Sequence, residues 1–195
     1  MDGDVSDTLT RYPVPRHRLT LADYHRLGEA GILNEDDRVE LLEGQLVDMS
    51  PIGPRHALAV EALNDLLVRA VGGRAWLKPQ NPIELDDGSE PQPDIALVRR
   101  PWQGYPTAHP RPGDVFLLVE VADSSLEVDR GAKLELYAKA GIPELWIVDL
   151  TTDGVFVYRN PSGDRYRTVT RIEPSGVLEV EALPGVAIPA ASLFA

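Results

Sequence analysis

The 195-residue chain contains no cysteine, so it forms no disulfide bond and offers no thiolate to a metal ion. It also has no apolar run long enough to cross a membrane as a helix. Its first four residues lack the basic and apolar regions of a secretion signal. We therefore expect a cytoplasmic protein with no membrane segment.

Positive charge is scarce as well. The chain has 19 lysine and arginine residues against 31 aspartate and glutamate residues, for a formal net charge of -12. Proteins that bind nucleic acids usually carry a basic face. Any contact with a polyanion must therefore depend on a local basic patch or on a bound cation.

The length and the 43% hydrophobic content suit one domain with a full core. We expect an extended, proline-containing arm over residues 1–18, followed by a single domain over residues 19–195. Apolar residues at helical spacing predict one long helix that ends at Gly72-Gly73 and another that ends at Gly141.

Short apolar runs bounded by turn residues predict the strands. They lie at residues 40–42, 45–47, 75–77, 82–85, 93–98, 115–121, 144–149, 155–158 and 166–169. The order strand, helix, strand between Val115 and Val148 predicts a parallel pair, and the hairpins at both ends predict antiparallel pairs. We expect an α/β fold with a mixed sheet flanked by helices and with added N- and C-terminal hairpins.

Two acidic residues belong to strands that are otherwise apolar. Asp94 opens one strand and Glu120 interrupts another. A carboxylate in such a position is costly unless it is paired, hydrogen-bonded or bound to a cation. Mg²⁺ prefers carboxylate and carbonyl oxygens, so Asp94, Glu120 and the backbone carbonyl of Val121 form a candidate metal site for phosphodiester hydrolysis. Lys133, on the following helix, is the candidate that orients water or stabilises negative charge.

Four residues of that helix recur at intervals of four and therefore share one face, namely Ser125, Asp129, Lys133 and Tyr137. The short connection after Glu120 can fold this face back over the strand. We expect Asp129 to support Lys133, with Ser125 beside them.

The residues that carry this pattern also resemble a known family. Pro93-Asp94 and residues 120–125, 129–133 and 137–149 look like the Uma-type restriction endonuclease family of the PD-(D/E)XK nuclease superfamily. Residues 40–46 and 49–51 and His56 fit as well. The resemblance implies a restriction-endonuclease-like core, Mg²⁺ or Mn²⁺ as cofactor and DNA as substrate.

The chain departs from the superfamily pattern at Ala122, where a lysine usually follows the second acid by two positions. The resemblance implies that Lys133 has taken over this role, and it adds Glu40 and His56 as supporting residues. It also suggests a homodimer, as expected of enzymes that cut both strands of a duplex. The apolar stretch over residues 186–189 is a candidate for the dimer contact.

Alternatives remain open at this point. The acidity and the missing lysine favour a catalytically weak or inactive module with a binding or regulatory role. A metal-independent hydrolase would use Asp94 and Glu120 as acid and base. Glu40 could simply pair with Arg38 or Arg55, and His56 could serve as a helix cap.

Overall fold

A computed structural model describes residues 16–34, 36–100, 108–123 and 128–194, with only the backbone for residues 128–130. The helices are α1 (Leu21–Glu29), α2 (Pro54–Val71) and α3 (Val128–Lys139), with 3₁₀ turns at Pro112–Asp114 and Ala190–Leu193. The strands are β1 (Val39–Leu42), β2 (Gln45–Asp48), β3 (Trp76–Pro79), β4 (Ile95–Val98), β5 (Val115–Ala122), β6 (Glu144–Asp149), β7 (Gly154–Ser162), β8 (Arg165–Ile172), β9 (Val177–Glu179) and β10 (Ala187–Pro189). None of the helices described is long and apolar enough to cross a membrane.

The main sheet has six strands in the order β3-β4-β5-β6-β7-β8. Strands β5 and β6 are parallel, and every other neighbouring pair is antiparallel. Helix α3 connects the parallel pair, as a crossover connection requires. The predicted mixed sheet and its parallel unit are therefore confirmed.

The two faces of the sheet pack against different helices. Leu117, Val119 and Val121 of β5 belong to the core cluster that includes the buried face of α2. Leu118 belongs to the opposite cluster, which includes Tyr137 of α3. Successive side chains of a strand point to opposite faces, so Glu120 projects on the same side as Leu118, toward α3.

The N-terminal hairpin forms a separate two-stranded sheet of β1 and β2. Its turn residues, Glu43 and Gly44, both have positive φ (47° and 77°), the backbone combination that favours a tight two-residue hairpin. The hairpin is fixed to the rest of the fold where the Glu90 N–H donates to the Leu41 carbonyl at 2.8 Å. This contact joins the hairpin to the segment before β4.

Three sequence predictions need correction or restriction. Residues 82–85 do not form a strand: Ile83 donates to the Pro91 carbonyl, but proline has no N–H to complete a two-way ladder. The hairpin of β7 and β8 is part of the main sheet, and β9 and β10 form an additional pair that was not predicted. Residues 1–15 of the predicted arm lie outside the described residues, and residues 16–18 have no regular structure.

The expected dimer contact through residues 186–189 remains a prediction, and only part of this stretch is exposed. Val186 and Ile188 are buried in the core of their own chain, at 1% and 2% exposure. Apolar side chains already used in the core have no surface to offer to a second copy.

The buried carboxylate of Glu144 connects β6, β7 and the segment that follows β9. Glu144 of β6 is 1% exposed and accepts hydrogen bonds from Trp146 Nε1 at 2.8 Å and from Arg159 of β7 at 2.7 and 3.1 Å. The backbone N–H of Glu181 donates to its other oxygen at 2.9 Å. A buried carboxylate needs several hydrogen-bond donors, because each oxygen lone pair without a donor would carry its full desolvation cost.

We expect Arg159→Met to lower the free energy of unfolding by about 3 kcal/mol, because it removes the cation from a buried pair. Urea denaturation measures the change. Arg165→Met is the matched control: Arg165 pairs with Asp164 on the surface, and its loss should cost at most about 1 kcal/mol. Equal midpoints for the two variants would contradict the importance of the Glu144 network.

Candidate active site

Asp94 lies immediately before β4, two positions from Ala96, which faces α3. Its Oδ2 accepts hydrogen bonds from the Val121 N–H at 2.8 Å and from His56 Nε2 at 3.0 Å. Both hydrogen bonds of the Asp94 carboxylate within the described part of the chain use this one oxygen, which leaves Oδ1 for another partner. The side chain is 13% exposed, so it opens to the pocket without being freely solvated.

Glu120 extends from β5 toward α3, as the alternation of the strand requires. Tyr137 donates its hydroxyl hydrogen to Glu120 Oε1 at 2.6 Å, and Lys133 Nζ lies 3.4 Å from the same oxygen. Burial raises the pKa of Glu120 to about 7, and the charges of Asp94 and Glu40 act in the same direction. Lys133 and the Tyr137 hydroxyl oppose the increase, which makes them the groups that favour the charged carboxylate.

Lys133 lies on α3 and reaches into the pocket between two acids. Its Nζ is 3.1 Å from Glu40 Oε2 and 3.4 Å from Glu120 Oε1. Burial disfavours the charged ammonium, but Glu120 and Glu40 outweigh it and raise the pKa of Lys133 above its ordinary value. The lysine is therefore held as a cation.

Glu40 comes from β1 and is 5% exposed. Besides Lys133 it contacts the backbone N–H of Gln92, which donates to its Oε2 at 3.0 Å. Pairing of Glu40 with Arg38 or Arg55 is therefore not the arrangement found. Arg55 instead contacts Asp123 at 3.3 Å and donates to the Leu150 carbonyl at 2.8 Å.

His56 occupies the first turn of α2 and is directed at Asp94. The hydrogen bond to Asp94 raises the pKa of His56, and burial only partly offsets this effect. Its Nδ1 is buried and has no hydrogen-bond partner among the residues described. His56 therefore contacts an acid of the site and is not the helix cap, since Gly53 holds that position.

Two predicted supporting residues lie wholly or partly outside the described part of the chain. Ser125 lies outside the described residues, and for Asp129 the backbone alone is described, within α3. The partners of Lys133 in the described part of the chain are Glu40 and Glu120. A contact between Asp129 and Lys133 remains a prediction.

Sequence reasoning missed two contributions to the site. Tyr137 was placed on the same helix face as Lys133 but was given no role in the site; it is fully buried, and its hydroxyl donates to Glu120 Oε1. Its position four residues after Lys133 was the available signal. The backbone of Gln92, which positions Glu40, left no signal in the sequence.

These side chains surround one pocket of about 230 Å³. Its walls include Arg38, Glu40, His56, Asp94, Glu120 and Lys133. The oxygen atoms available to a cation are those of the carboxylates and the backbone carbonyl of Val121. No group of three or more histidine or acidic side chains within the described ranges is arranged to hold a metal ion by itself.

Comparisons with known proteins agree with this architecture. A family model with the description "Uma2: Putative restriction endonuclease" matches residues 21–191. A crystal structure of "a putative nuclease belonging to DUF820 from Anabaena variabilis ATCC 29413" aligns with a TM-score of 0.69 and 17% identity. The alignment covers 90% of this chain and 97% of that one and, at this identity, shows a shared fold.

A search of curated proteins gave no match. The family model nevertheless spans most of the chain, including every described residue of the pocket. The chain therefore belongs to the Uma2 family.

Proposed function

We propose that the chain is a metal-dependent endonuclease that hydrolyses phosphodiester bonds in DNA. The observation that carries this proposal is the meeting of Asp94, Glu120 and the Lys133 ammonium in one pocket, with Lys133 Nζ 3.4 Å from Glu120. Membership of the Uma2 family and the nuclease fold of the structural neighbour support it.

The donor set fits Mg²⁺ or Mn²⁺. Oδ1 of Asp94, the carboxylate of Glu120 and the carbonyl of Val121 are hard oxygen ligands, and Mg²⁺ commonly binds one or two carboxylates while keeping several waters. Burial raises the pKa of Glu120 to about 7, and a cation beside it would favour the charged form. The bound ion would supply charge neutralisation at the phosphate and a more acidic water.

The residues around these ligands have distinct roles in the proposal. The Val121 N–H and His56 fix Asp94 through Oδ2, so the carboxylate presents its other oxygen to the pocket. The Tyr137 hydroxyl fixes Glu120. Lys133, held by Glu40, offers an ammonium to the attacking water or to the developing negative charge.

A second candidate function is a catalytically weak or inactive module that binds DNA. The specific observation in its favour is that Lys133 is engaged by two carboxylates, Glu40 and Glu120. A nicking assay on supercoiled DNA with Mg²⁺, with Mn²⁺ and with chelator separates the candidates. Metal-dependent nicks support the endonuclease, nicks that persist in chelator indicate a metal-independent hydrolase, and binding without nicks favours the module.

We expect Mg²⁺ or Mn²⁺ to bind the wild-type protein and raise its melting temperature by linkage. Asp94→Asn should abolish the binding heat in calorimetric titration, because an amide oxygen is a weak ligand for a hard cation. Asp65→Asn is the control, since Asp65 pairs with Arg69 on the surface of α2. Equal binding by wild type and Asp94→Asn would contradict the proposed ligand set.

We expect Lys133→Ala to lower the cleavage rate by at least about a hundredfold while much of the metal affinity remains, because the lysine stabilises charge and is not a ligand. Lys133→Arg should not restore the full rate, since a planar guanidinium does not replace a compact ammonium. Lys139→Ala tests an exposed lysine of the same helix and should cut normally. Normal cleavage by Lys133→Ala would exclude this role.

We also propose that two copies associate to cut both strands of a duplex, as two-fold symmetry allows. The contact must use residues other than Val186 and Ile188, which are buried. Light scattering at micromolar concentration should give twice the monomer mass. A monomer mass, with and without DNA, would contradict the dimer and leave the proposed chemistry in place.

A further inference from the structure

A second depression, here called the side groove, adjoins the active-site pocket. The side groove is bordered by residues of α1 and of the segment before β1, including Tyr24, His25, Asn34 and Asp37, and by His109 from the segment before β5. Arg38, Met49 and Gln92 line both the pocket and the side groove. These three residues therefore mark the passage from one to the other.

The backbone of Arg38 is held firmly at this passage. The Met49 N–H donates to the Arg38 carbonyl at 2.8 Å, and the Tyr24 hydroxyl donates to the carbonyl of the next residue, Val39, at 3.1 Å. Arg38 precedes Glu40 by two positions, the spacing that places side chains on one face of an extended chain. Both residues accordingly line the pocket.

Arg38 differs from the other cations near the site because no residue that the structure describes engages its charge. Lys133 is paired with Glu40 and Glu120, and Arg55 is paired with Asp123. Arg38 is exposed and forms no ion pair with any residue that the structure describes. Its guanidinium is available to a ligand.

The charge around Arg38 indicates what kind of ligand. Five acidic residues line the pocket, namely Glu40, Asp48, Asp94, Glu120 and Asp123. A phosphodiester strand that approaches them meets strong repulsion unless cations offset it. Arginine presents a planar fork of donors that matches phosphate oxygens in a bidentate way.

We propose that Arg38 binds a backbone phosphate next to the scissile one, and that the side groove holds the flanking nucleotide of the same strand. This inference rests on the proposed nuclease function and assigns it a strand path. Arg38 is a positioning residue here: it fixes where the strand enters the pocket and contacts none of the reacting atoms.

The test compares Arg38→Ala with Arg69→Ala, which removes the same charge from an exposed position of α2 outside both depressions. Binding of a fluorescently labelled duplex is measured by anisotropy in chelator at several salt concentrations. Arg38→Ala should weaken binding about tenfold and reduce the slope of log affinity against log salt by about one, as expected for the loss of one phosphate contact. Arg38→Lys should restore the slope and only part of the affinity.

Cleavage kinetics provide the second readout. With Mg²⁺, Arg38→Ala should raise KM about tenfold and leave kcat within about twofold, because the contact holds the strand and not the transition state. Identical KM values and salt slopes for Arg38→Ala and Arg69→Ala would overturn the inference. If the wild type binds DNA through Arg38 and never cuts it, the strand path stands and the endonuclease proposal fails. If the wild type and Arg38→Ala cut DNA with the same KM, the endonuclease proposal stands and the strand path fails.

Discussion

The site depends on one lysine that pairs with two largely buried acids from different parts of the chain. Lys133 of α3 contacts Glu40 of the N-terminal hairpin and Glu120 of β5. Without this cation, two carboxylates that are largely out of water would face each other and Asp94 with only hydrogen bonds to offset their charge. The same contact joins the hairpin, the sheet and the crossover helix, so the electrostatics of the pocket and the packing of these elements are inseparable.

The parallel unit β5-α3-β6 explains why the lysine can come from a helix. Position 122 follows Glu120 by two residues and faces the same side of the sheet, so a lysine there would extend into the same pocket. Ala122 is small and leaves that space open, and α3 packs on the same face of the sheet because the parallel connection returns over this face. The lysine position is thus set by the crossover geometry.

The sequence predicted well those features that depend on local patterns. The strand that begins just after Asp94, the strand that carries Glu120, the helix that carries Lys133 and the parallel connection follow from periodicity and turn residues. The partner of Glu40 could not be predicted, because Lys133 is distant in sequence and a nearby arginine was equally plausible. The false strand at residues 82–85 makes single backbone hydrogen bonds but no complete ladder, and the hydroxyl contact of Tyr137 forms only when α3 packs on β5.

The net negative charge of the chain is only a weak argument against a DNA substrate. At about 0.1 M ionic strength charges are screened over roughly 10 Å, so acids on remote surfaces contribute little at the pocket. The local balance matters more: Lys133 already offsets Glu40 and Glu120 in part, and a divalent cation beside Asp94 and Glu120 would remove most of the remaining negative charge. Under that condition Arg38, which forms no ion pair with any described residue, would favour a phosphate at the pocket, and the net charge of -12 would bear on solubility and leave substrate choice to the site.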